Sequence, residues 1–177
     1  YELALLSEEL GQEKDLEEAY KRIDRLIASG TGSSESELLF AARLKQGDLL
    51  RRMGQFPQAQ LAYEEILNRY SQRPDIVLAQ LALADCHNAQ SAADPAHMDN
   101  AQLLFEQLRD RVDAPADVRV EAGYKLGLLL MRREQRNKAI DVWWSDVVTP
   151  FLIETSQPPA AGDKRRYWLA RTLLDLG

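Results

Sequence analysis

The feature that most restricts the fold of this chain is a pattern of three residues at fixed separations, which recurs along the sequence. In GDLLRRMGQFPQAQLAY, the small residue Gly47 is followed twelve residues later by Ala59 and four residues after that by the bulky Tyr63. Two antiparallel helices approach closely only where a small side chain on one leaves room for the other, and a bulky residue one turn further fills the space beside them. The spacing therefore predicts a helical hairpin.

The predicted turn of this hairpin carries two residues that are suited to it. Gly54 can end the first helix in a left-handed conformation, because glycine lacks a Cβ atom. Pro57 suits the first turn of the second helix, because backbone N–H groups there form no hydrogen bond within the helix. The segment between Gly47 and Ala59 is thus predicted to hold the end of one helix and the start of the next.

The same spacing returns in other parts of the chain. Its further copies are Ser7, Ala19 and Ile23; Gly127, Ala139 and Trp143; and, with five additional residues in the connecting loop, Ala84, Ala101 and Phe105. A fifth copy begins at Ala170. A spacing that recurs in this way is typical of proteins built from repeated helical hairpins.

Composition supports a chain without strands. Only nine Gly and seven Pro occur in 177 residues, and Ala, Leu, Glu, Gln and Arg, which favour helix, are common. We therefore predict an all-α fold. The helices drawn from periodicity and end signals cover about 2–13, 15–28, 37–53, 57–71, 75–90, 98–111, 116–133, 137–149 and 163–176.

These residues resemble the tetratricopeptide repeat (TPR) family, whose repeat has a small residue, a Gly at the turn, an Ala and a following aromatic residue in this order. The resemblance implies an α-solenoid of antiparallel helix pairs in a right-handed superhelix of about four and a half repeats. Residues 1–177 would form one array, as a fragment of a longer chain. The repeats would cover about 1–36, 37–73, 74–114, 115–162 and, in part, 163–177. The sequence departs from the family at Lys14 and at Arg43, where a turn Gly and a Trp-like residue are usual.

A HEAT-like solenoid is the alternative fold, because the repeats are longer than the 34 residues of the TPR unit. The small-residue positions Ser7, Gly47, Ala84, Gly127 and Ala170 stand 40, 37, 43 and 43 residues apart. HEAT repeats have such periods. The additional residues fall in polar or Pro/Gly-rich joints at 29–36, 91–97 and 156–163, whereas the spacing within hairpins is kept in three of four complete copies. That difference favours the TPR-like interpretation.

Charge and hydropathy argue against two classes of function. The formal net charge of −6 is unsuited to general binding of a nucleic-acid backbone, which needs clustered Lys and Arg. No stretch of about 18 apolar residues exists, so we expect no membrane span in this segment. We expect protein or peptide partners instead.

Motifs of enzymes and cofactor sites are missing from the sequence. It contains no GxSxG, no phosphate-binding loop, no GxGxxG and no HExxH. Cys86 and His87 are adjacent in a predicted helix, so their side chains diverge by about 100° and cannot easily hold one metal ion. We predict a buried, unreactive Cys86 and a non-enzymatic chain with no catalytic residue, cofactor or metal.

The resemblance implies a scaffold that binds a peptide or a partner's helix in a concave groove lined by the first helix of each repeat. By the register of the repeat, the groove residues are Glu8, Asp48, Arg51, Asp85, Tyr124, Leu128, Met131, Arg132, Tyr167 and Arg171. This order predicts one acidic end and one apolar to basic end. The alternative for the acidic residues is pairing with the nearby arginines, Arg51 and Arg52.

Two further interpretations concern the larger protein. The chain could be a regulatory or assembly module of a larger enzyme or of an envelope or secretion machine. The stretch RYSQRPDIVLAQLALADCHNAQ resembles TPR proteins of bacterial cell envelopes, which favours the periplasm or envelope over the cytoplasm.

The aromatic and apolar residues near the C-terminus also carry predictions. Trp143 is expected in the core, and Trp144 or Trp168 is the expected exposed anchor. The last helix is predicted to present an apolar face, through Leu169, Leu173 and Leu176, that a following helix or self-association covers.

Overall fold

The structure, a computed structural model, describes residues 13–29, 37–153 and 163–177, and these ranges contain helices and no strand. The elements are α1 (Glu13–Ser29), α2 (Glu37–Arg52), α3 (Phe56–Arg69), a short 3₁₀ helix (Pro74–Ile76), α4 (Val77–Gln90), α5 (Pro95–Asp110), α6 (Ala116–Arg132), α7 (Arg136–Val142), a π-helical segment (Trp143–Val148), α8 (Thr149–Ile153) and α9 (Arg165–Leu176). The prediction of an all-α chain is confirmed for these ranges. The predicted helix over 2–13 lies outside them except for its last residue.

The predicted start of one helix was wrong by three residues. Helix α5 begins at Pro95 rather than at 98, because Asp94 caps it: the Ala96 backbone N–H donates to Asp94 Oδ1 at 2.9 Å. A carboxylate at this position satisfies one of the backbone donors that have no partner within the helix. Pro95 fills the first helical position, where proline is tolerated.

The helix predicted to end at 149 continues to Ile153. It does so through the π-helical segment Trp143–Val148, which separates α7 from α8. Pro150, the second residue of α8, has no backbone N–H to donate to the π-helical segment before it. A π-helical segment inside a helix has no clear mark in the sequence.

The chain divides into two compact units, residues 1–93 and 94–177. The boundary falls between α4 and α5, inside the predicted repeat 74–114. In unit 1, α1 packs on α2, α2 on α3, and α3 on α4. Its core includes Leu16, Ala19 and Ile23 of α1, packed together with two residues of α2, Ala42 and Leu49. Burial of these aliphatic side chains is the main source of stability for such a pair of helices.

Unit 2 repeats this arrangement with larger side chains. Helix α5 packs on α6, α6 packs on α7 and the π-helical segment, and α9 packs on α6 and the same segment. The core of this unit contains Val120 and Tyr124 of α6 together with Trp143 and Val147 of the π-helical segment. Trp143 is 1% exposed, which confirms its predicted place in the core.

The close helix approach that the spacing predicts is present in both units. A Cβ atom added to Gly47 would lie 2.7 Å from Cε1 and Cζ of Tyr63, and one added to Gly127 would lie 2.0 Å from Nε1 of Trp143. Both distances are far below van der Waals contact. Each glycine therefore makes room for the aromatic ring that the spacing assigns to it.

The two hairpins also share one turn geometry. Gly54 (φ 73°) and Glu134 (φ 60°) occupy equivalent positions, five residues before the buried alanine of each second helix. In both turns the N–H of the next residue, Gln55 or Gln135, donates 2.9 Å to a carbonyl five residues earlier. This bond is typical of a helix end with one left-handed residue. The prediction for Gly54 is confirmed.

The remaining copies of the spacing lie only partly within the described residues. Ala19, Ile23, Ala101 and Phe105 are fully buried, as predicted. Ser7 lies outside the described residues. Ala170, the start of the fifth copy, is exposed.

Candidate functional site

The predicted groove residues of unit 1 form a cluster of ion pairs. Arg51 donates to Asp48 Oδ1 through Nη2 at 2.8 Å and to Asp85 Oδ2 through Nη1 at 3.1 Å. Lys45 Nζ lies 4.0 Å from Asp48 Oδ2. We call Lys45, Asp48, Arg51 and Asp85 the unit 1 charge cluster. Its two carboxylates face two cations, so the acidic character predicted for this end of the groove is largely compensated within the fold.

The packing of α2 on α3 and α4 positions this cluster. Asp48 follows Gly47, the residue that lets Tyr63 approach α2, and Asp85 lies on α4 beside the buried Ala84 and Cys86. Burial opposes the charge of Arg51, but the hydrogen bond to Asp48 and the charge of Asp85 outweigh burial and raise the pKa of Arg51. The guanidinium is therefore a permanent part of the cluster.

Two buried titratable groups, the Tyr63 hydroxyl and the Cys86 thiol, lie beside the cluster. Burial, with a contribution from Asp48, raises the pKa of Tyr63 well above its ordinary value. Burial also raises the pKa of the Cys86 thiol to about 12, although the charge of Arg51 works in the opposite direction. Cys86 is fully buried, which confirms the predicted burial, and the raised pKa favours the protonated thiol at neutral pH. Glu8, the remaining predicted residue of this end, lies outside the described residues.

The predicted groove residues of unit 2 lie on two helices that meet at Tyr124. Its hydroxyl donates to Asp175 Oδ2 at 2.9 Å, and Arg171 Nε donates to the same hydroxyl at 3.4 Å. The Tyr124 ring lies 5.1 Å from the ring of Trp168, centroid to centroid. Mainly because of burial, the pKa of Tyr124 is raised. Tyr124 is thus a buried floor that joins α6 to α9.

Exposed side chains surround this floor. Leu128 and Met131 follow Tyr124 by one and two turns of α6, and each is 36% exposed. Tyr167, one turn before Arg171 on α9, is 58% exposed. Arg132 is exposed at the end of α6. We call Tyr124, Leu128, Met131, Arg132, Tyr167 and Arg171 the α6–α9 surface; these six residues predicted for this end lie on the two helices that give it its name.

The position of Tyr124 depends on the core contact beneath it. Trp143 Nε1 donates to the Tyr124 backbone carbonyl at 3.0 Å, and the two rings stack with centroids 6.4 Å apart. Gly127, which makes room for Trp143, lies one residue before Leu128. Gly127 and Leu128 therefore lie on the same turn of α6, and Gly127 faces the core whereas Leu128 belongs to the exposed surface.

The two candidate anchor tryptophans have different environments. Trp144 is 47% exposed. Trp168 is half-buried between Tyr124 and Tyr167, with Lys125 Nζ 5.6 Å from its ring centroid. Trp144 is consequently the better candidate for an exposed anchor, whereas Trp168 supports the α6–α9 surface from below.

Sequence reasoning missed the residues on the other side of α6. Gly123 precedes Gly127 by one turn, and a Cβ atom added to Gly123 would lie 2.7 Å from Cβ of Asp146. Asp146 in turn accepts from Arg109 Nη1 at 3.0 Å. The four-residue separation of two glycines in GYKLG was the available signal for this second close approach.

The last helix shows a mixture of buried and exposed leucines. Leu169 and Leu176 pack against the core of unit 2, so two of the three residues predicted to form an uncovered face are partly covered within the unit. Leu173 is exposed, as is its neighbour Leu174. The predicted apolar face is narrower than expected and includes Leu174.

A membrane-spanning helix and a metal centre are two other kinds of functional element that a chain can carry. None of the described helices is both long enough and apolar enough to cross a bilayer. In the same part of the chain no group of three or more His, Cys, Asp and Glu side chains is arranged to hold a metal ion.

Comparison with solved structures identifies the fold. Two crystal structures of a Podosopora anserina kinesin light chain-like protein with nearly identical TPR-like repeats, one of them a single-residue variant, match this chain. The variant superposes with a TM-score of 0.66 at 18% identity, over 99% of this chain and 85% of that one. The second gives 0.64 at 17% identity, over 99% and 86%. This chain has the TPR-like helical-repeat fold.

The other comparisons add no closer relationship. No protein-family model matches the chain, and the search of curated proteins found no match. The TPR-like fold shared with these structures confirms the predicted fold class. The matched proteins are fungal, and they give no support to the resemblance to bacterial envelope proteins.

Proposed function

We propose that this chain is a non-enzymatic scaffold that binds a segment of a partner protein on the α6–α9 surface. The observation that carries the proposal is the exposure of Leu128, Met131 and Tyr167 around the buried, hydrogen-bonded Tyr124. Exposed apolar side chains on a rigid, well-packed floor are characteristic of surfaces where partner side chains are anchored. The use of TPR-like folds as interaction scaffolds supports the same conclusion.

The chemistry of this surface defines the partner segment. Leu128, Met131 and Tyr167 would contact apolar side chains, and a flexible methionine adapts to different shapes. Arg132 and Arg171 would contact an acidic residue of the segment. We therefore propose a segment with apolar residues and a carboxylate on one side, as an amphipathic helix or an extended peptide presents them.

The unit 1 charge cluster would bind basic residues of a partner. Because Arg51 already occupies both Asp48 and Asp85, the contribution of this end would be to encounter rate and orientation rather than to affinity.

The test of the α6–α9 surface is partner capture by the full-length protein followed by mass spectrometry. The double change Leu128→Ser and Met131→Ser removes apolar area from the surface while leaving its buried floor unchanged. The control is Leu61→Ser on α3, at a leucine that is 66% exposed and belongs to unit 1. We expect the double variant to lose partners that wild type and Leu61→Ser retain. Equal capture by all three proteins would contradict the proposal.

The test of the unit 1 charge cluster is a neutral change rather than charge reversal. Replacing both Asp48 and Asp85 by Lys would place three cations side by side around Arg51, so it would disturb the fold as well as binding. Asp48→Asn keeps the shape of the side chain and removes one charge. With a partner identified, we expect a slower association rate and a weaker salt dependence; an unchanged rate at low salt would exclude a role for this carboxylate.

A location in the bacterial periplasm or envelope is a separate proposal. It rests on the resemblance of residues 69–90 to envelope proteins, since the matched structures share only the fold. Fractionation of the source cells with an antibody against the full-length protein tests it directly, and recovery in the cytosolic fraction would refute it.

A further inference from the structure

A small pocket in unit 2, on the side of α6 that carries Gly123, has an unusual lining of three arginines. Its volume is about 180 Å³, which corresponds to roughly six molecules of liquid water. The lining residues are Arg109, Ala116, Arg119, Val120, Ser145, Asp146, Pro150 and Arg165. Three of these lining residues are arginines and one is an aspartate, although the chain as a whole has a net charge of −6.

Two of the three arginines are held by carboxylates of the chain. Arg109 donates to Asp146 at 3.0 Å, and Arg165 donates to Asp163, with its shortest contact 2.7 Å from Nη2 to Oδ2. These ion pairs fix the two side chains at the wall of the pocket. A fixed guanidinium loses little further conformational entropy when a ligand arrives.

The third arginine differs from the other two. Among the residues that the structure describes, Arg119 forms no ion pair, and its Nε atom is buried without a hydrogen-bond partner. A buried donor of a charged group costs free energy when it is left unpaired, and the cost is larger than for a neutral group. Arg119 is therefore the arginine of this lining whose charge an additional anion would compensate.

The start of α6 contributes further donors to the same pocket. Ala116 is the first residue of this 17-residue helix and lines the pocket, and the preceding Pro115 supplies no side-chain cap. The first N–H groups of a helix have no partner within the helix, and the helix dipole favours negative charge at this end. The arginine side chains and the N-terminus of α6 thus both favour a negatively charged ligand.

We propose that this pocket binds one oxyanion group, a carboxylate or a phosphate, with Arg119 as its principal ligand and Arg109 and Arg165 beside it. A planar guanidinium donates two parallel hydrogen bonds to either kind of group. The site is separate from the α6–α9 surface, so it supplies a second point of recognition, and an anionic side chain of a partner or a free oxyanion would occupy it.

The experiment is a titration of the 177-residue chain with sodium phosphate and with sodium acetate, at constant ionic strength adjusted with sodium chloride. Melting temperature is followed in wild type, in Arg119→Gln and in Arg119→Lys, and the NMR signal of the Arg119 Nε–H group is followed in the proteins that keep Arg119. Arg136→Gln, an exposed arginine that does not line the pocket, is the matched control. Circular dichroism in chloride verifies that each variant is folded.

We expect a saturable rise in melting temperature with a shift of the Arg119 signal in wild type and in Arg136→Gln. Affinity should fall at least tenfold in Arg119→Gln and less in Arg119→Lys, which keeps the charge without the planar fork. A response to phosphate alone would identify a phosphate site, and a response to acetate as well would identify a carboxylate site. No saturable response in wild type, or an equal response in Arg119→Gln, would overturn the proposal.

Discussion

The α2–α3 hairpin of unit 1 and the α6–α7 hairpin of unit 2 realise the same spacing of residues in two different ways. Both place a glycine of the first helix under an aromatic ring of the second and end the first helix with a left-handed residue. In unit 1 the ring is Tyr63, and the helix ends on Gly54. In unit 2 the ring is the larger Trp143, and the helix ends on Glu134.

The difference teaches which parts of the hairpin depend on side-chain size. The turn is the same in both, since its hydrogen bonds are equivalent even though one left-handed residue is a glutamate. The ring contact is not the same, because Nε1 of Trp143 lies 2.0 Å from a Cβ atom added at Gly127, against 2.7 Å for the nearest Tyr63 ring atoms at Gly47. Unit 2 also has the second close approach at Gly123. We infer that unit 2 depends more strongly on its glycines.

The largest expected effect is the loss of stability in Gly127→Ala. Helix propensity alone would favour alanine by about 1 kcal/mol, but the new methyl group would overlap a fully buried indole, and overpacking typically costs about 1 to 3 kcal/mol or more. We expect a net loss of about 2 to 3 kcal/mol, against about 1 kcal/mol for Gly47→Ala. Urea unfolding measures both. Tryptophan fluorescence reports on unit 2 alone, because all three tryptophans belong to it. Equal losses in the two variants would refute the comparison.

A double-mutant cycle sharpens the same comparison. Trp143→Tyr gives unit 2 the aromatic residue of unit 1, at the expense of the hydrogen bond to the Tyr124 carbonyl. In this background Gly127→Ala should be tolerated better, with a coupling free energy of about 1.5 kcal/mol, since residues in contact depart from additivity by this order. Circular dichroism measures the four unfolding free energies. Additive losses would mean that the ring and the methyl group do not compete for space.

The two units should also respond differently to alkaline pH. Burial raises the pKa of Tyr63 and raises that of Cys86 to about 12 in unit 1. When folding raises the pKa of such a group, the free energy of unfolding has its full value at pH values below the ordinary pKa. It falls as the pH rises above the ordinary pKa. The loss amounts to about 1.4 kcal/mol per pH unit for each such group.

We therefore expect unit 1 to lose stability above about pH 9 more steeply than unit 2, where the described hairpin has only Tyr124 with a raised pKa. Urea unfolding at pH 8, 9.5 and 10.5 measures the slopes. Tyr63→Phe cannot ionise at this position and should flatten the slope of unit 1. A slope that Tyr63→Phe leaves unchanged would show that this hydroxyl does not carry the effect.

The smallest expected effect concerns the turns. A left-handed backbone at Glu134 costs about 1 to 2 kcal/mol for a residue with a Cβ atom, part of which glycine recovers. We expect Glu134→Gly to stabilise unit 2 by about 0.5 to 1 kcal/mol and Gly54→Ala to destabilise unit 1 by a similar amount. Melting curves of the two single variants are sufficient. Changes of the same sign would show that the turns are not equivalent.

The sequence was most informative where the fold repeats one local rule. The positions of Gly47, Tyr63 and Gly54 followed from the steric needs of a hairpin, and the structure confirms each of them. A twelve-residue spacing and a turn glycine act over short distances. Single-sequence reasoning can therefore identify them.

The sequence was less informative where long-range contacts decide the outcome. The register of the repeat placed Asp48 and Asp85 on one face, but it could not decide that Arg51 joins them across two helices. The π-helical segment and the arginine pocket depend on how several elements meet. Neither has a local signature, except for the two glycines of α6.

The contact between Gly127 and Trp143 also constrains the order in which this sequence can change over evolutionary time. Any side chain larger than hydrogen at 127 overlaps the tryptophan and costs stability, whereas a smaller ring at 143 is compatible with the glycine. Drift by single substitutions must therefore alter Trp143 before Gly127. Homologues of this chain should accordingly show Gly127 wherever Trp143 is present, and residues with a Cβ atom at 127 only in lineages that have lost the tryptophan.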